Sequence, residues 1–153
     1  MNKTPTNLIF DLHGVIFDYN GKTSAKSLIY TLPPGLEILK RCAQIKDSCG
    51  KKLHKIYILS NWGKAGFDKI RQQFPEILEL FDGCVISGEA GYSKPEKEIF
   101  ELLINRYQIK NQPCVFIDDS EVNVIAAQQF GWTTIFYDNP AHVKQLLEKL
   151  NII

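Results

Sequence analysis

Short apolar runs alternate along the chain with longer amphipathic stretches, which is the pattern of an α/β fold. Three of the short runs are nearly continuous in apolar residues, as expected of parallel strands that are buried on both faces of a sheet. The pattern predicts strands at 8–12, 55–59, 84–87, 114–117 and 133–137. It predicts helices at 35–45, 63–74, 96–107, 121–130 and 141–150.

One segment near the N-terminus departs from this alternation. Residues 15–22 are predicted to form a small hairpin, because Asn20-Gly21 is typical of a two-residue turn between strands. About a dozen residues then remain before the first predicted helix, which is too few for a second domain. We therefore expect one domain over residues 1–153, with this hairpin as a flap, and a short turn at 75–80.

The composition is that of an ordinary soluble globular domain, with 44% hydrophobic and 23% charged residues. The net charge of +1 argues against binding to nucleic acid or to a membrane through bulk charge. No apolar run approaches the roughly 20 residues of a membrane-spanning helix. The polar N-terminus lacks the apolar core of a signal peptide, and the four cysteines are scattered. We therefore expect reduced thiols and a cytoplasmic location.

Polar clusters follow the predicted strands at the edge where open parallel sheets bind ligands. Two carboxylates at adjacent strand ends, Asp11 and Asp119, would lie within reach of one hard cation such as Mg²⁺. A helix N-terminus attracts anions, so Ser60 and the helix at 63–74 would form an anion site to which Lys94 adds a cation. Together these groups indicate phosphoryl transfer through a covalent aspartyl intermediate. The clusters are Asp11-Leu12-His13-Gly14, Ser60-Asn61, Ser93-Lys94-Pro95 and Asp118-Asp119-Ser120.

In this order the clusters resemble the four motifs of the haloacid dehalogenase (HAD) superfamily of hydrolases. The likeness extends over residues 8–137, nearly the whole chain. It implies a Rossmann-like three-layer sandwich around a central parallel sheet. The segments that carry it are Phe10-Asp11-Leu12-His13-Gly14-Val15-Ile16, Leu59-Ser60-Asn61, Lys94-Pro95 and Phe116-Ile117-Asp118-Asp119-Ser120-Glu121-Val122-Asn123.

The resemblance also implies catalytic roles. Asp11 would be the nucleophile, and Ser60, Asn61 and Lys94 would hold the phosphoryl group. The phosphatases of the family carry an aspartate two residues after the nucleophile, where it protonates the leaving oxygen and then activates water. Here that position is His13, which either performs this acid and base work, since histidine exchanges protons near neutral pH, or replaces it poorly.

A magnesium site is implied by the same resemblance. Asp11, Asp119 and the backbone carbonyl of His13 would bind the ion directly, and Asp118 would act through a water molecule. Asn123 matches a position that usually supports this metal site.

Many members of the family carry a cap domain over the site, and here no segment is long enough for one. We therefore expect a capless protein with an open site. An open site suits a phosphorylated macromolecule, or a small phosphorylated molecule that a neighbouring copy in a homo-oligomer encloses.

Alternatives remain open at this stage. The main prediction is a Mg²⁺-dependent phosphatase of phosphomonoesters. The protein would instead be a silent phosphate- and metal-binding module if His13 abolishes turnover, or a dehalogenase-like hydrolase that uses Asp11 without metal. The pair Asp118-Asp119 argues against the metal-free reaction. Residues 60–61 and 118–120 are also typical helix N-caps.

Overall fold

The computed structural model describes residues 3–153. Met1 and Asn2, which belong to the predicted domain and to the polar N-terminal segment, lie outside the described residues. The elements in chain order are β1 (Asn7–Phe10), β2 (Phe17–Asn20), β3 (Leu28–Thr31), α1 (Pro33–Gln44), β4 (Lys55–Ser60), α2 (Lys64–Gln73), α3 (Pro75–Leu78), β5 (Gly83–Ile86), α4 (Ser87–Ala90), α5 (Lys97–Tyr107), β6 (Cys114–Asp118), α6 (Glu121–Gln128), β7 (Thr133–Phe136) and α7 (Pro140–Lys149).

Five parallel strands form the central sheet in the order β5-β4-β1-β6-β7. Alternate residues of β1 point to opposite faces, so Leu8 and Phe10 enter one core and Ile9 enters the other. Helices α1, α2 and α7 cover the first face, and α5 and α6 cover the second. The predicted three-layer α/β fold is confirmed, and the five predicted strands and five predicted helices agree with the structure to within two residues.

The predicted hairpin at 15–22 is wrong in its extent. Strand β2 pairs antiparallel with β3, and the connection between them runs from 21 to 27. A two-residue turn of the expected type needs positive φ at both central residues, and here Gly21 has it while Asn20 stays in the strand. The Asn20 side chain instead accepts a hydrogen bond from the Leu28 N–H at 3.2 Å. The flap is therefore the longer hairpin β2–β3.

The flap lies against helix α2. The Lys69 ammonium donates to the Ser27 carbonyl at 3.3 Å, and the Ser24 hydroxyl lies where a Cβ on Gly66 would be. The absence of a side chain at Gly66 thus allows the flap connection to approach the helix.

The short helices α3 and α4 escape a periodicity analysis because four residues span about one turn. Helix α3 occupies the stretch predicted as a turn. Within residues 3–153 no large cap domain follows β1 or β4, as expected. The described helices include none of the length and apolarity that crossing a membrane requires.

A buried histidine connects the start of the sheet to the C-terminal segment. His54 has no exposed surface, and its Nε2 donates to the Ile152 carbonyl at 3.1 Å. Within residues 3–153 its Nδ1 has no hydrogen-bond partner. Burial lowers the pKa of His54 below its ordinary value of 6.5.

Acid should therefore destabilise the protein through His54. The unfolded chain takes up a proton on this residue at a higher pH than the folded protein, so stability is lost as pH falls below the ordinary value of 6.5. We expect the urea midpoint to fall between about pH 7.5 and about pH 5, and to fall less in His54→Gln. Equal falls in both proteins would contradict this role.

Candidate active site

The strand order brings the sequence-predicted site residues to one edge of the sheet. Asp11 directly follows β1, and its N–H donates to the Ile117 carbonyl of β6 at 2.9 Å. Ser60 ends β4 on the other side of β1, and Asp118 ends β6. Carboxylate oxygens of Asp11, Asp118 and Asp119 lie within 4.8 Å of one another.

Lys94 lies between two of these carboxylates. Its Nζ is 3.1 Å from Asp11 Oδ1 and 2.5 Å from Asp118 Oδ2, and all three side chains are buried. The Asn61 side chain holds the Lys94 backbone on both sides, accepting from its N–H at 2.7 Å and donating to its carbonyl at 2.9 Å. The tip of β4 thereby positions the loop that carries the lysine.

Asp118 is held from three directions. Besides Lys94, it accepts from the Ser120 N–H at 2.8 Å, and both of its oxygens lie 3.2 Å from Asn123 Nδ2. The capping alternative is wrong for residues 60–61, because Gly63 is the N-cap of α2. For residues 118–120 its position is right, because Ser120 is the N-cap of α6, but neither helix has a side-chain cap hydrogen bond.

The electrostatics of this cluster are unbalanced. Burial raises the pKa of Asp11, the contact with Lys94 opposes that rise, and the nearby charge of Asp119 adds to it. Burial also raises the pKa of Asp118, again against the effect of Lys94. Burial alone would lower the pKa of Lys94, but the two carboxylates outweigh it and raise that pKa. Three neighbouring carboxylates thus face one ammonium, which contacts only Asp11 and Asp118, and the excess negative charge matches a divalent cation.

Two oxygen positions are open to such a cation. Asp11 Oδ1 accepts from the Leu12 N–H at 2.8 Å and contacts Lys94, which leaves Oδ2 without a partner in residues 3–153. Asp119 is exposed, and its carboxylate makes no hydrogen bond within the same residues. It packs against Gly14, whose φ of +76° and missing Cβ make room for it. An all-oxygen donor set of this kind fits Mg²⁺.

A buried hydroxyl without a partner in the described part of the chain ends β4. The Ser60 hydroxyl is buried and has no hydrogen-bond partner among residues 3–153, an arrangement that is costly unless a ligand satisfies it. A pocket of about 320 Å³ opens over the carboxylates and Lys94. Its lining residues are Asp11, His13, Asn61, Lys94, Pro95, Asp119, Ser120, Val122 and Asn123.

His13 lies at the mouth of this pocket and contacts the flap. Its Nε2 is 3.2 Å from Asp18 Oδ1, and its ring packs 5.0 Å from the Tyr19 ring and 5.7 Å from the Trp62 ring, measured between centroids. Asp18 was not among the residues that the sequence singled out. An acidic residue beside a turn signal looks like ordinary surface, and only its spacing of five residues from His13 hints at the contact.

The haloacid dehalogenase-like hydrolase family model matches residues 32–131, which contain Ser60, Lys94, Asp118 and Asp119. The chain is 32% identical over 95 residues to bifunctional epoxide hydrolase 2 of Mus musculus. It is 33% identical over 76 residues to sesquiterpene phosphatase astK of Aspergillus oryzae. These alignments cover 61% and 50% of this chain, and 17% and 38% of the two relatives, so the chain spans less than half the length of either.

A solved structure shares the fold. It is a HAD family enzyme of Bacteroides thetaiotaomicron in complex with magnesium and inorganic phosphate. The TM-score is 0.72 at 18% identity, over 91% of this chain and 98% of that one. At this identity the likeness concerns the fold.

The contact between Gly14 and Asp119 is testable by substitution. Gly14→Ala introduces a methyl group at the position of the Asp119 carboxylate and strains a backbone with φ of +76°. We expect a loss of about 1 to 3 kcal/mol in the free energy of unfolding, measured with urea. Gly131→Ala is the matched control, because Gly131 has φ of +73° and no atom within 4 Å of an added Cβ. A loss in Gly14→Ala no larger than in the control would contradict the contact.

Proposed function

The chain belongs to the haloacid dehalogenase-like hydrolase family, and on that premise we propose that it is a Mg²⁺-dependent phosphatase of phosphomonoesters. The observation that carries the proposal is the cluster of the three carboxylates Asp11, Asp118 and Asp119, of which the first two contact the ammonium of Lys94. The phosphatase among the relatives and the magnesium–phosphate complex of the structural neighbour support it.

In this proposal Asp11, Asp119 and the backbone carbonyl of His13 would hold the magnesium ion, and Asp118 would act through a water molecule. When bound, the ion supplies positive charge to the phosphoryl oxygens. The Asp118 carboxylate also accepts a hydrogen bond from the Lys94 ammonium, so it would position both the lysine and the ion's water molecule. The oxygen donors and their excess charge support this assignment.

The first chemical step uses the Asp11 carboxylate. One of its oxygens attacks phosphorus while the other is left for the ion, an aspartyl-phosphate forms, and the bond from phosphorus to the leaving oxygen breaks. Lys94 and the unpartnered Ser60 hydroxyl stabilise the charge on the phosphoryl oxygens. Asn61, which also lines the pocket, holds the backbone of Lys94 in place. Water then hydrolyses the aspartyl-phosphate and restores Asp11.

His13 is the proposed acid and base of both steps. It would give a proton to the leaving oxygen and then take one from the attacking water. The Asp18 carboxylate would orient the ring by accepting from Nε2. The same contact favours the second candidate, a silent phosphate- and metal-binding module, because it commits one ring nitrogen to the flap.

We also propose a cytoplasmic location. The cysteines Cys42, Cys49, Cys84 and Cys114 are free thiols, which is typical of a reducing compartment.

The nucleophile gives the most direct test. Asp11→Asn should lower phosphatase turnover at least about 10³-fold, because an amide cannot form the acyl-phosphate. The activity is measured with 4-nitrophenyl phosphate and millimolar Mg²⁺. Asp47→Asn makes the same change at an exposed loop before β4 and should leave turnover unchanged. Turnover near the wild-type level in Asp11→Asn would overturn the mechanism.

The metal site is testable without activity. Mg²⁺ should raise the melting temperature of the wild-type protein by binding to the native state, with about 2.7 kcal/mol of stabilisation at a concentration 100 times the Kd. Asp119→Asn should remove most of this rise, and Asp47→Asn should keep it. A wild-type melting temperature that does not respond to millimolar Mg²⁺ would count against the site.

His13→Asp separates the two candidate functions. If His13 replaces the usual aspartate poorly, the variant should gain up to about 10²- to 10⁴-fold in turnover of alkyl phosphates. The gain should be smaller for 4-nitrophenyl phosphate, whose leaving group needs no protonation. A loss of turnover in His13→Asp would identify His13 as the working acid and base. A wild-type protein without turnover that His13→Asp activates would identify the silent module.

A further inference from the structure

The pocket offers few free polar groups to the part of a substrate beyond its phosphate. The side chains of Asn61 and Asn123 are engaged with the Lys94 backbone and with Asp118. His13 is hydrogen-bonded to Asp18. Apart from the Ser120 hydroxyl, the lining side chains outside the proposed metal and phosphate positions therefore have little hydrogen-bonding capacity left for a polar alcohol portion.

Among the described residues, the pocket offers no positive side chain beyond the lysine assigned to the phosphoryl group. Within residues 3–153, no arginine and no second lysine lines the pocket. The ammonium of Lys94 already contacts Asp11 and Asp118. A second phosphate or a carboxylate on the substrate would therefore lose water without gaining a cation.

The remaining surface at the mouth is apolar. Val122 is the second residue of α6, lines the pocket, and is 60% exposed. Pro95, which is also exposed, contributes a second apolar surface to the same lining. Either residue would be covered by the alcohol portion of a bound ester.

Resting on the proposed function, we infer that the protein selects monophosphate esters whose alcohol portion is uncharged and apolar, and that Val122 determines this selection. The phosphate occupies the site of Ser60 and Lys94. The alcohol portion packs on Val122, and a second anionic group is rejected because the pocket has no cation for it.

The test compares phenyl phosphate with 4-carboxyphenyl phosphate, which differ by one anionic group away from the reacting bond. The wild-type protein should prefer phenyl phosphate by about fivefold or more in kcat/KM. Val122→Lys should raise kcat/KM for the carboxylated ester by up to about fivefold and lower it for phenyl phosphate. Leu150→Lys adds the same charge at an exposed leucine after α7 and should change kcat/KM for neither ester.

Inhibition by inorganic phosphate provides the control for a structural effect. Inorganic phosphate has no alcohol portion, so Val122→Asn should lower kcat/KM for phenyl phosphate and leave the phosphate inhibition constant unchanged. Equal kcat/KM of the wild-type protein for both esters would overturn the inference and leave the proposed function intact. The same conclusion would follow if Leu150→Lys changed kcat/KM as much as Val122→Lys does. No turnover of either ester would overturn the proposed function and this inference with it.

Discussion

The buried ammonium of Lys94 between Asp11 and Asp118 is the contact on which the arrangement of the site depends. Separating a buried ion pair leaves an uncompensated charge, which is strongly destabilising. The surrounding contacts keep the pair together: Asn61 holds the lysine backbone, and Asn123 holds the Asp118 carboxylate. The tips of β1, β4 and β6 are thereby tied to the loop before α5.

The buried charges of this site do not cancel. Asp119 adds a third carboxylate, exposed and held against Gly14, so the cluster carries more negative charge than Lys94 compensates. Burial raises the pKa of Asp11, and the nearby charge of Asp119 adds to this rise. A divalent cation would compensate the excess negative charge of the three carboxylates. The proposed function therefore follows from a charge that the protein's own side chains do not neutralise.

The flap lies beside the site and leaves it open. It is a two-stranded hairpin that rests on α2 and touches the mouth of the pocket through Asp18 and Tyr19. Val122, which lines the same pocket, stays exposed. The flap contributes to the placement of His13 rather than to a closed chamber.

The sequence by itself determined the sheet strands, the longer helices and the four polar clusters, because periodicity and strand-end chemistry are local properties of the chain. It predicted that Asp11 and Asp119 meet, since adjacent parallel strands end at one edge. Only the tertiary structure decided the extent of the β2–β3 flap, the partner of His13, and the insertion of Lys94 against an aspartate 24 residues away. These features depend on through-space contacts, and a local pattern does not specify which distant side chain will satisfy a buried charge.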